Sequence, residues 1–148
     1  MLRLWRLYSE RYGPGLDGIG GTFADGRWHR RGDRIVYFGL TAAICVLERL
    51  AHTDADLLPR NLRLGAFVFD PAPAVDVAEP PGGWAQDEAV TQGIGSDWVR
   101  SAKSCLLVVP SVIVPEESNA MLNASHPDAK LLKAVSNRPF SFDPRLIE

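Results

Sequence analysis

The sequence has little of the material from which membrane spans, disulfide frameworks or metal centres are made. No apolar run is long enough to cross a bilayer, and the opening segment MLRLWRLYSERYG lacks the apolar stretch of a signal peptide. Cys45 and Cys105 lie far apart in apolar surroundings, which is typical of reduced, packed thiols. The three histidines lack the paired spacing of helical metal ligands. We therefore expect a soluble, cytoplasmic protein with no metal and no membrane association.

Excess positive charge is also missing. The chain has 16 Lys and Arg against 18 Asp and Glu, for a formal net charge of -2. A general nucleic-acid binder needs a basic face that releases counterions from phosphates, so we expect no direct nucleic-acid binding. At 148 residues, the chain is predicted to form a single domain over residues 1–148, which buries roughly 70% of the surface of its unfolded form.

The most informative stretch is residues 26–50, GRWHRRGDRIVYFGLTAAICVLERL. Four arginines fall within eight positions and are followed by a predicted strand over 35–38 and an amphipathic helix over 41–52. They are Arg27, Arg30, Arg31 and Arg34. Glu48 lies at the border of the helix's apolar stripe. The stretch is either a solvated loop beside an ordinary helix surface, or a site for an anion such as a dinucleotide diphosphate facing one carboxylate.

The first third of the chain contributes one more candidate. A strand over 2–8 places Arg6 on the same face as Leu4 and Tyr8, so Arg6 is either an inward phosphate ligand or a guard of an edge strand. Residues 9–25 are glycine-rich but match neither the P-loop nor the dinucleotide fingerprint, and we expect a flexible loop over the site.

The remainder predicts short elements. We expect a turn over 54–59, a strand over 61–70 buried on both faces, and irregular chain over the proline-rich 71–83. A short helix over 87–92 precedes a second helix capped by Ser96. Strands are predicted over 105–109, 112–114, 119–123 and 139–147, with a turn and short helix over 125–134. Ser111 lies at a bend between two prolines, where its hydroxyl binds either its own backbone or a ribose or nicotinamide amide.

Taken in order, the blocks GRWHRRG, IVYFGLTAAICVLE, LLVVPSVIVPEESNAMLN, SHPD and FSFDPRL resemble the RES domain over nearly the whole chain. The resemblance implies an α+β fold like that of ADP-ribosyltransferase toxins, with a split, mainly antiparallel sheet and several short helices. It also implies a bacterial toxin of a toxin–antitoxin pair that consumes NAD+ as substrate.

Carried across by motif, the family's functional positions fall on Arg27, Tyr37, Glu48 and Ser111. The resemblance implies that Glu48, Arg27 and Tyr37 are catalytic. Cofactor binding would involve Arg6, Arg27, Arg31, Tyr37 and Ser111. Tyr37 would stack on the nicotinamide or ribose, and Ser111 would bond the ribose or the carboxamide. Many members have asparagine where this chain has His29.

The resemblance further implies a partner and leaves the acceptor open. The partner would be a small Xre-type helix-turn-helix antitoxin whose tail blocks the NAD+ pocket, and ADP-ribose could pass to a protein, water or phosphate. The alternatives are a ribonuclease in which His29, Arg31 and Glu48 act on a phosphodiester, and a non-catalytic nucleotide-binding module. A serine hydrolase built on Ser111, His126 and Asp128 lacks the glycine-serine-glycine elbow.

Overall fold

The computed structural model describes residues 1–54 and 59–147, and within these ranges seven strands form one sheet. The strands are β1 (Leu2–Ser9), β2 (Ile35–Gly39), β3 (Leu62–Phe69), β4 (Val75–Val77), β5 (Leu106–Pro110), β6 (Ser118–Asn123) and β7 (Lys133–Phe140). Two α-helices accompany them in the same ranges, α1 (Ala42–Ala51) and α2 (Glu88–Ser101). Short 3-10 turns lie at Ile19–Thr22, Trp84–Gln86, Pro127–Leu131 and Pro144–Leu146. No helix in this part of the chain is long and apolar enough to cross a membrane.

The sheet is split near its middle. Its strand order is β4-β5-β6-β2-β1-β3-β7, and every neighbouring pair is antiparallel except β4 with β5. β1 pairs with β3 along its whole length, but it meets β2 at the single pair Trp5 and Gly39. Two half-sheets therefore diverge from one point of contact, which confirms the predicted α+β class with a split, mainly antiparallel sheet.

Alternation along β2 explains how the sheet packs on both faces. Val36 and Phe38 enter one buried cluster, whereas Ile35 enters another with Trp28 and Trp98. α1 follows β2 directly, and the hydroxyl oxygen of its N-cap Thr41 accepts a hydrogen bond from a backbone amide of the first turn at 3.1 Å. The predicted helix over 41–52 is thus confirmed.

Several predicted boundaries are wrong. The proline-rich segment contains β4, because three residues between the prolines pair with β5. Residues 112–114 form no strand, since two of their amides bond to Ser111 instead. The last strand, β7, ends at Phe140, and a 3-10 turn replaces the short helix predicted over 125–134. Most of the predicted turn over 54–59 lies outside the described residues.

The two short helices predicted around Ser96 are one helix, α2. Its N-cap is Asp87, whose Oδ1 accepts from the Val90 amide at 3.2 Å, whereas Ser96 is buried in mid-helix. The sequence predicted two short helices because Gly93 and Gly95 interrupt the pattern, and glycine has low helix propensity. A Cβ at Gly95 would lie 1.5 Å from the Trp28 carbonyl oxygen, so the glycine is required for this helix to lie against the arginine-bearing loop.

Candidate active site

A cavity of about 650 Å³ opens where the sheet splits. Its wall draws on β1, β2, α1, α2 and the loop before β2. The volume lies within the range of about 300–1,000 Å³ that is usual for small-molecule sites. Four of the residues singled out in the sequence line this cavity, namely Arg6, Arg27, Tyr37 and Glu48.

Glu48 is held by one of its two carboxylate oxygens. Its Oε1 accepts hydrogen bonds from the Ser111 hydroxyl at 2.6 Å and from the Asn119 side-chain amide at 2.9 Å. The side chain is 22% exposed, and its Oε2 lies 3.7 Å from Nε2 of His52. Two donors therefore fix the carboxylate while Oε2 is left without a hydrogen bond to any residue in the described ranges.

Ser111 lies behind Glu48 and is fully buried. Its oxygen accepts the amide hydrogens of Ile113 and Val114, both at 3.1 Å, and its one proton goes to Glu48. The turn-serine interpretation is confirmed, and the structure adds a role that the sequence did not suggest, because the same hydroxyl orients the Glu48 carboxylate. In this arrangement it has no second proton to donate to a ribose or a carboxamide, so that contact stays a prediction.

Asn119 is a site residue that the sequence analysis missed. It starts the apolar part of β6 and pairs with Gly39 of β2, and it lines the cavity. The available signal was weak, because Asn119 is only a polar residue near the start of a predicted strand. Nothing in the sequence indicated that this strand lies beside Glu48. Cys45, Arg49 and Gln92 also line the cavity without having been predicted.

Arg6 spans the split between the half-sheets. Its Nε donates to the Pro14 carbonyl at 2.6 Å and its Nη1 to the Tyr37 carbonyl at 2.9 Å. Because β1 lies inside the sheet between β2 and β3, the edge-guard interpretation of Arg6 is wrong. Burial lowers the pKa of Arg6, and the neighbouring Arg49 lowers it further. Neither Nη2 of Arg6 nor the Arg49 guanidinium has a hydrogen-bond partner among the residues described.

The ring of Tyr37 lines the cavity, but its hydroxyl points into the protein. The hydroxyl accepts from the Trp28 amide at 3.1 Å and lies 2.7 Å from Nδ1 of His29. Nε2 of His29 faces the carbonyl oxygens of Gly21 and Ala24, at 3.2 and 3.1 Å. These acceptors place a proton on Nε2, so in the neutral ring Nδ1 accepts from the tyrosine. Burial raises the pKa of Tyr37.

His29 therefore stabilises the loop before β2. It is buried, and both of its nitrogens already have protein partners. The ribonuclease alternative needs this imidazole to exchange protons with a substrate, and the structure leaves it no free nitrogen. Gly26 makes the arrangement possible, because a Cβ there would lie 2.4 Å from Nδ1 of His29 and 2.5 Å from the Tyr37 oxygen.

Arg27 lines the cavity with its guanidinium turned toward the chain before α2. Its Nη2 donates to the carbonyls of Trp84 and Ala85 at 3.1 and 2.5 Å, and its Nη1 lies 3.5 Å from Glu88. Its Nε is buried and has no partner within the described ranges. Arg31 is exposed and lies outside this cavity. The arginines of the loop thus do not form one cluster.

The serine-hydrolase and metal alternatives gain no support from the geometry. The Ser111 proton goes to a carboxylate and not to a histidine. Nδ1 of His126 accepts from the Asp128 amide at 3.0 Å. Among the described residues, no group of three or more His, Cys, Asp or Glu side chains is placed to hold a metal ion.

The fold and the cavity together define an α+β protein in which the Glu48 carboxylate is held, oriented by two donors, in the cleft of a split sheet. The RES domain profile matches residues 3–143, and the chain belongs to the RES-domain family. It is 40% identical over 153 residues to the Prs ADP-ribosylating toxin of Sphingobium sp. (strain YBL2), covering 97% of this chain and 95% of that protein.

More distant relatives agree in family and in fold. Toxin Res of Yersinia enterocolitica is 30% identical over 152 residues, covering 98% of this chain and 99% of the relative. The toxin–antitoxin complex MbcT–MbcA of M. tuberculosis contains a chain that superimposes with a TM-score of 0.69 at 15% identity, covering 98% of this chain and 86% of that one. At that identity the likeness establishes the fold.

Proposed function

We propose that this protein is the toxin of a toxin–antitoxin pair and that it consumes NAD+ by cleaving the bond between nicotinamide and ribose. The observation that carries the proposal is the Glu48 carboxylate, fixed through one oxygen at the wall of the cavity. Membership of the RES family and a 40% identical relative named as an ADP-ribosylating toxin support it.

Cleavage of this bond requires few protein groups. Nicotinamide departs with the bonding electron pair and needs no general acid, while the ribose develops oxocarbenium character, as in glycoside cleavage. Negative charge near that cation stabilises the transition state, and Oε2 of Glu48 supplies it. An oxygen or nitrogen of the acceptor then bonds to the ribose carbon, and any proton that it carried passes to solvent water. In this scheme Ser111 and Asn119 act through Glu48 as positioning residues.

Substrate binding divides among the other lining residues. The Tyr37 ring offers a face on which the nicotinamide or ribose stacks. Nη2 of Arg6 and the guanidinium of Arg49 have no hydrogen-bond partner among the described residues and would take diphosphate oxygens, for which guanidinium forks are suited. Nη2 of Arg27 would have to exchange a carbonyl bond for a phosphate oxygen, whereas its Nε, which has no partner in the described part of the chain, would bond without exchange. Arg31 would contribute to the diphosphate only from outside the cavity.

We further propose a cytoplasmic protein whose partner is an Xre-type helix-turn-helix antitoxin that blocks the cavity. The MbcT–MbcA complex, which shares the fold, is a toxin–antitoxin complex. Co-expression with the candidate antitoxin should yield a stable complex in which nicotinamide release is suppressed. Undiminished release, with no complex isolated, would refute the partner.

The test of the function is to incubate the purified protein with NAD+ and measure released nicotinamide by chromatography, with Glu48→Gln beside it. We expect Glu48→Gln to bind NAD+ with little change and to turn over at least ~100-fold more slowly, the scale of losing one electrostatic contact to the transition state. Glu10→Gln is the matched control, because Glu10 pairs with Arg63 on the surface. Equal turnover by wild type and Glu48→Gln would sink the assignment, and saturable binding without product would favour a nucleotide-binding module.

A further inference from the structure

A second cavity of about 610 Å³ adjoins the first. It is lined by Phe23, Ala24, Asp25, Arg30, Arg31 and Gln92. Two of these residues, Asp25 and Gln92, also line the first cavity. A molecule bound in the second cavity would therefore lie beside the wall of the first.

The cations of this second cavity are presented by a fixed backbone. The Arg30 amide donates to the Ser96 hydroxyl at 3.1 Å, and the Arg31 amide donates to Oδ1 of Asp25 at 2.7 Å. The guanidinium groups of both arginines make no hydrogen bond or ion pair with any residue that the structure describes. Two guanidinium groups are thus held at the cavity wall without a direct ion pair to the described part of the chain.

The nearby carboxylates Asp25 and Asp33 form no ion pair with these arginines among the described residues. Asp25 uses Oδ1 on a backbone amide, and Asp33 accepts the Ser96 hydroxyl at 2.7 Å. Both serve to brace the loop. Phe23, on the same cavity wall, is 74% exposed. Exposed aromatic and arginine side chains side by side are the composition that is enriched at the centres of protein–protein interfaces.

We propose that the second cavity docks an acidic segment of a protein that accepts ADP-ribose. The proposal rests on the proposed function, since it concerns the acceptor side of the same reaction. Charge complementarity points to the partner: the chain as a whole has a net charge of -2, yet two guanidinium groups at this cavity make no ion pair with any described residue. The exposed Phe23 favours a polypeptide over a small anion, because an apolar side chain adds contact area to a peptide and none to phosphate.

The test separates nicotinamide release from transfer. Wild type, Arg30→Gln and Phe23→Ala are each given adenine-labelled NAD+, with and without bacterial lysate protein, and both released nicotinamide and protein-bound label are measured. Without protein, all three should release nicotinamide at rates within about 2-fold. With lysate, Arg30→Gln should transfer at least ~10-fold less label, on the scale of losing one charged interface contact, and wild-type transfer should fall with rising salt. Arg34→Gln is the control, since Arg34 is exposed in the same loop and its Nε bonds the Asp17 carbonyl at 3.1 Å.

Each other outcome overturns the proposal. Labelling by Arg30→Gln equal to that of wild type removes the docking role. Nicotinamide release by wild type with no label in protein assigns the acceptor to water or phosphate. If inorganic phosphate accelerates wild type but not Arg30→Gln, the cavity is a phosphate site. Loss of both activities at unchanged melting temperature makes it part of the NAD+ site. No nicotinamide release by wild type, with lysate protein and with inorganic phosphate supplied in turn, would be a failure of the proposed function itself, seen before any variant is compared.

Discussion

Two segments held by hydrogen bonds border the cavity, and they differ in the partners of those bonds. In the serine turn, residues 110–115, two backbone amides bond the Ser111 oxygen, and the Ser111 proton goes to Glu48 in the cavity. In the arginine loop, residues 26–31, backbone groups bond to side chains of α2 and not to the Glu48 carboxylate. Thr91 and Gln92 of α2 donate to carbonyls of the loop at 2.6 and 3.0 Å, and Ser96 accepts from a loop amide.

The residues that orient the Glu48 carboxylate differ from the residues that stabilise the loop. The arginine loop carries the most conspicuous charges in the sequence, yet most of its polar groups stabilise the loop itself. The serine turn has one polar side chain at its bend and no charge between its prolines, yet it sets the direction of the carboxylate. Loss of the hydrogen bonds inside the loop should therefore appear as lost stability, and loss of the bond from the turn to Glu48 as lost turnover.

The largest effect should come from forcing α2 away from the arginine loop. Gly95→Ala places a Cβ 1.5 Å from the Trp28 carbonyl, and the clash is with backbone, which cannot move aside as a side chain can. We expect the free energy of unfolding to fall by about 3 kcal/mol or more, the upper end of overpacking costs, or folding to fail. Urea denaturation of the purified variant gives the value.

Gly93→Ala is the matched control two residues away. A Cβ at that position would lie 3.4 Å from the end of the flexible Arg30 side chain. Replacing a helical glycine by alanine should be neutral or stabilising by up to about 1 kcal/mol. Equal stability of the two variants would mean that α2 does not lie against the loop as described.

The next effect concerns the serine turn. Ser111→Ala and Asn119→Ala each remove one donor to Oε1 of Glu48, a hydrogen bond to a charged group worth about 1.5–3 kcal/mol, so kcat should fall roughly 10- to 100-fold. The Michaelis constant for NAD+ should change little if both side chains act through Glu48, since the Ser111 proton is already donated to the carboxylate. Steady-state kinetics with nicotinamide as product measures both.

The two variants should differ in stability, and this difference is the internal control. Ser111→Ala also strips the acceptor from the Ile113 and Val114 amides, at an expected cost of about 1–3 kcal/mol, whereas Asn119→Ala leaves no backbone group unpaired. If Ser111→Ala instead raised the Michaelis constant with kcat intact, the direct ribose contact implied by the family resemblance would be the better account.

The sequence was sufficient for the parts of this fold that local pattern and motif specify. Alternation predicted β1, buried apolar segments predicted β2 and β3, helical spacing predicted α1, and the family resemblance carried by the order of blocks predicted the split α+β fold. The same spacing placed Glu48 at the margin of the core, where it is partly exposed in the cavity. These features depend on residues close together in the chain.

What sequence reasoning missed depends on contacts between distant residues. Asn119 reaches Glu48 because β6 pairs with β2, and no residue near Asn119 in the sequence predicts that pairing. α2 was broken at its glycines because propensity is a local quantity, while the reason for Gly95 is a carbonyl in another segment. The Tyr37 hydroxyl was unassigned for the same reason, since its partners are fixed only once the arginine loop folds back on β2.

The smallest effect should be that of Tyr37→Phe. This variant tests whether the tyrosine has two separate roles, one in the cavity through its ring and one in the arginine loop through its hydroxyl. Its ring lines the cavity, whereas its hydroxyl braces the arginine loop through Trp28 and His29. Removing only the hydroxyl should lower the free energy of unfolding by about 1–2 kcal/mol, because a buried amide and a buried imidazole lose their partner. The Michaelis constant and kcat should stay within about 3-fold of wild type, since the stacking face remains. Tyr37→Leu, which removes the face as well, should raise the Michaelis constant by roughly 10-fold, the upper end of the energy of an aromatic pair. A large loss of kcat in Tyr37→Phe would instead place the hydroxyl in contact with the substrate, and would require the arginine loop to open when NAD+ binds.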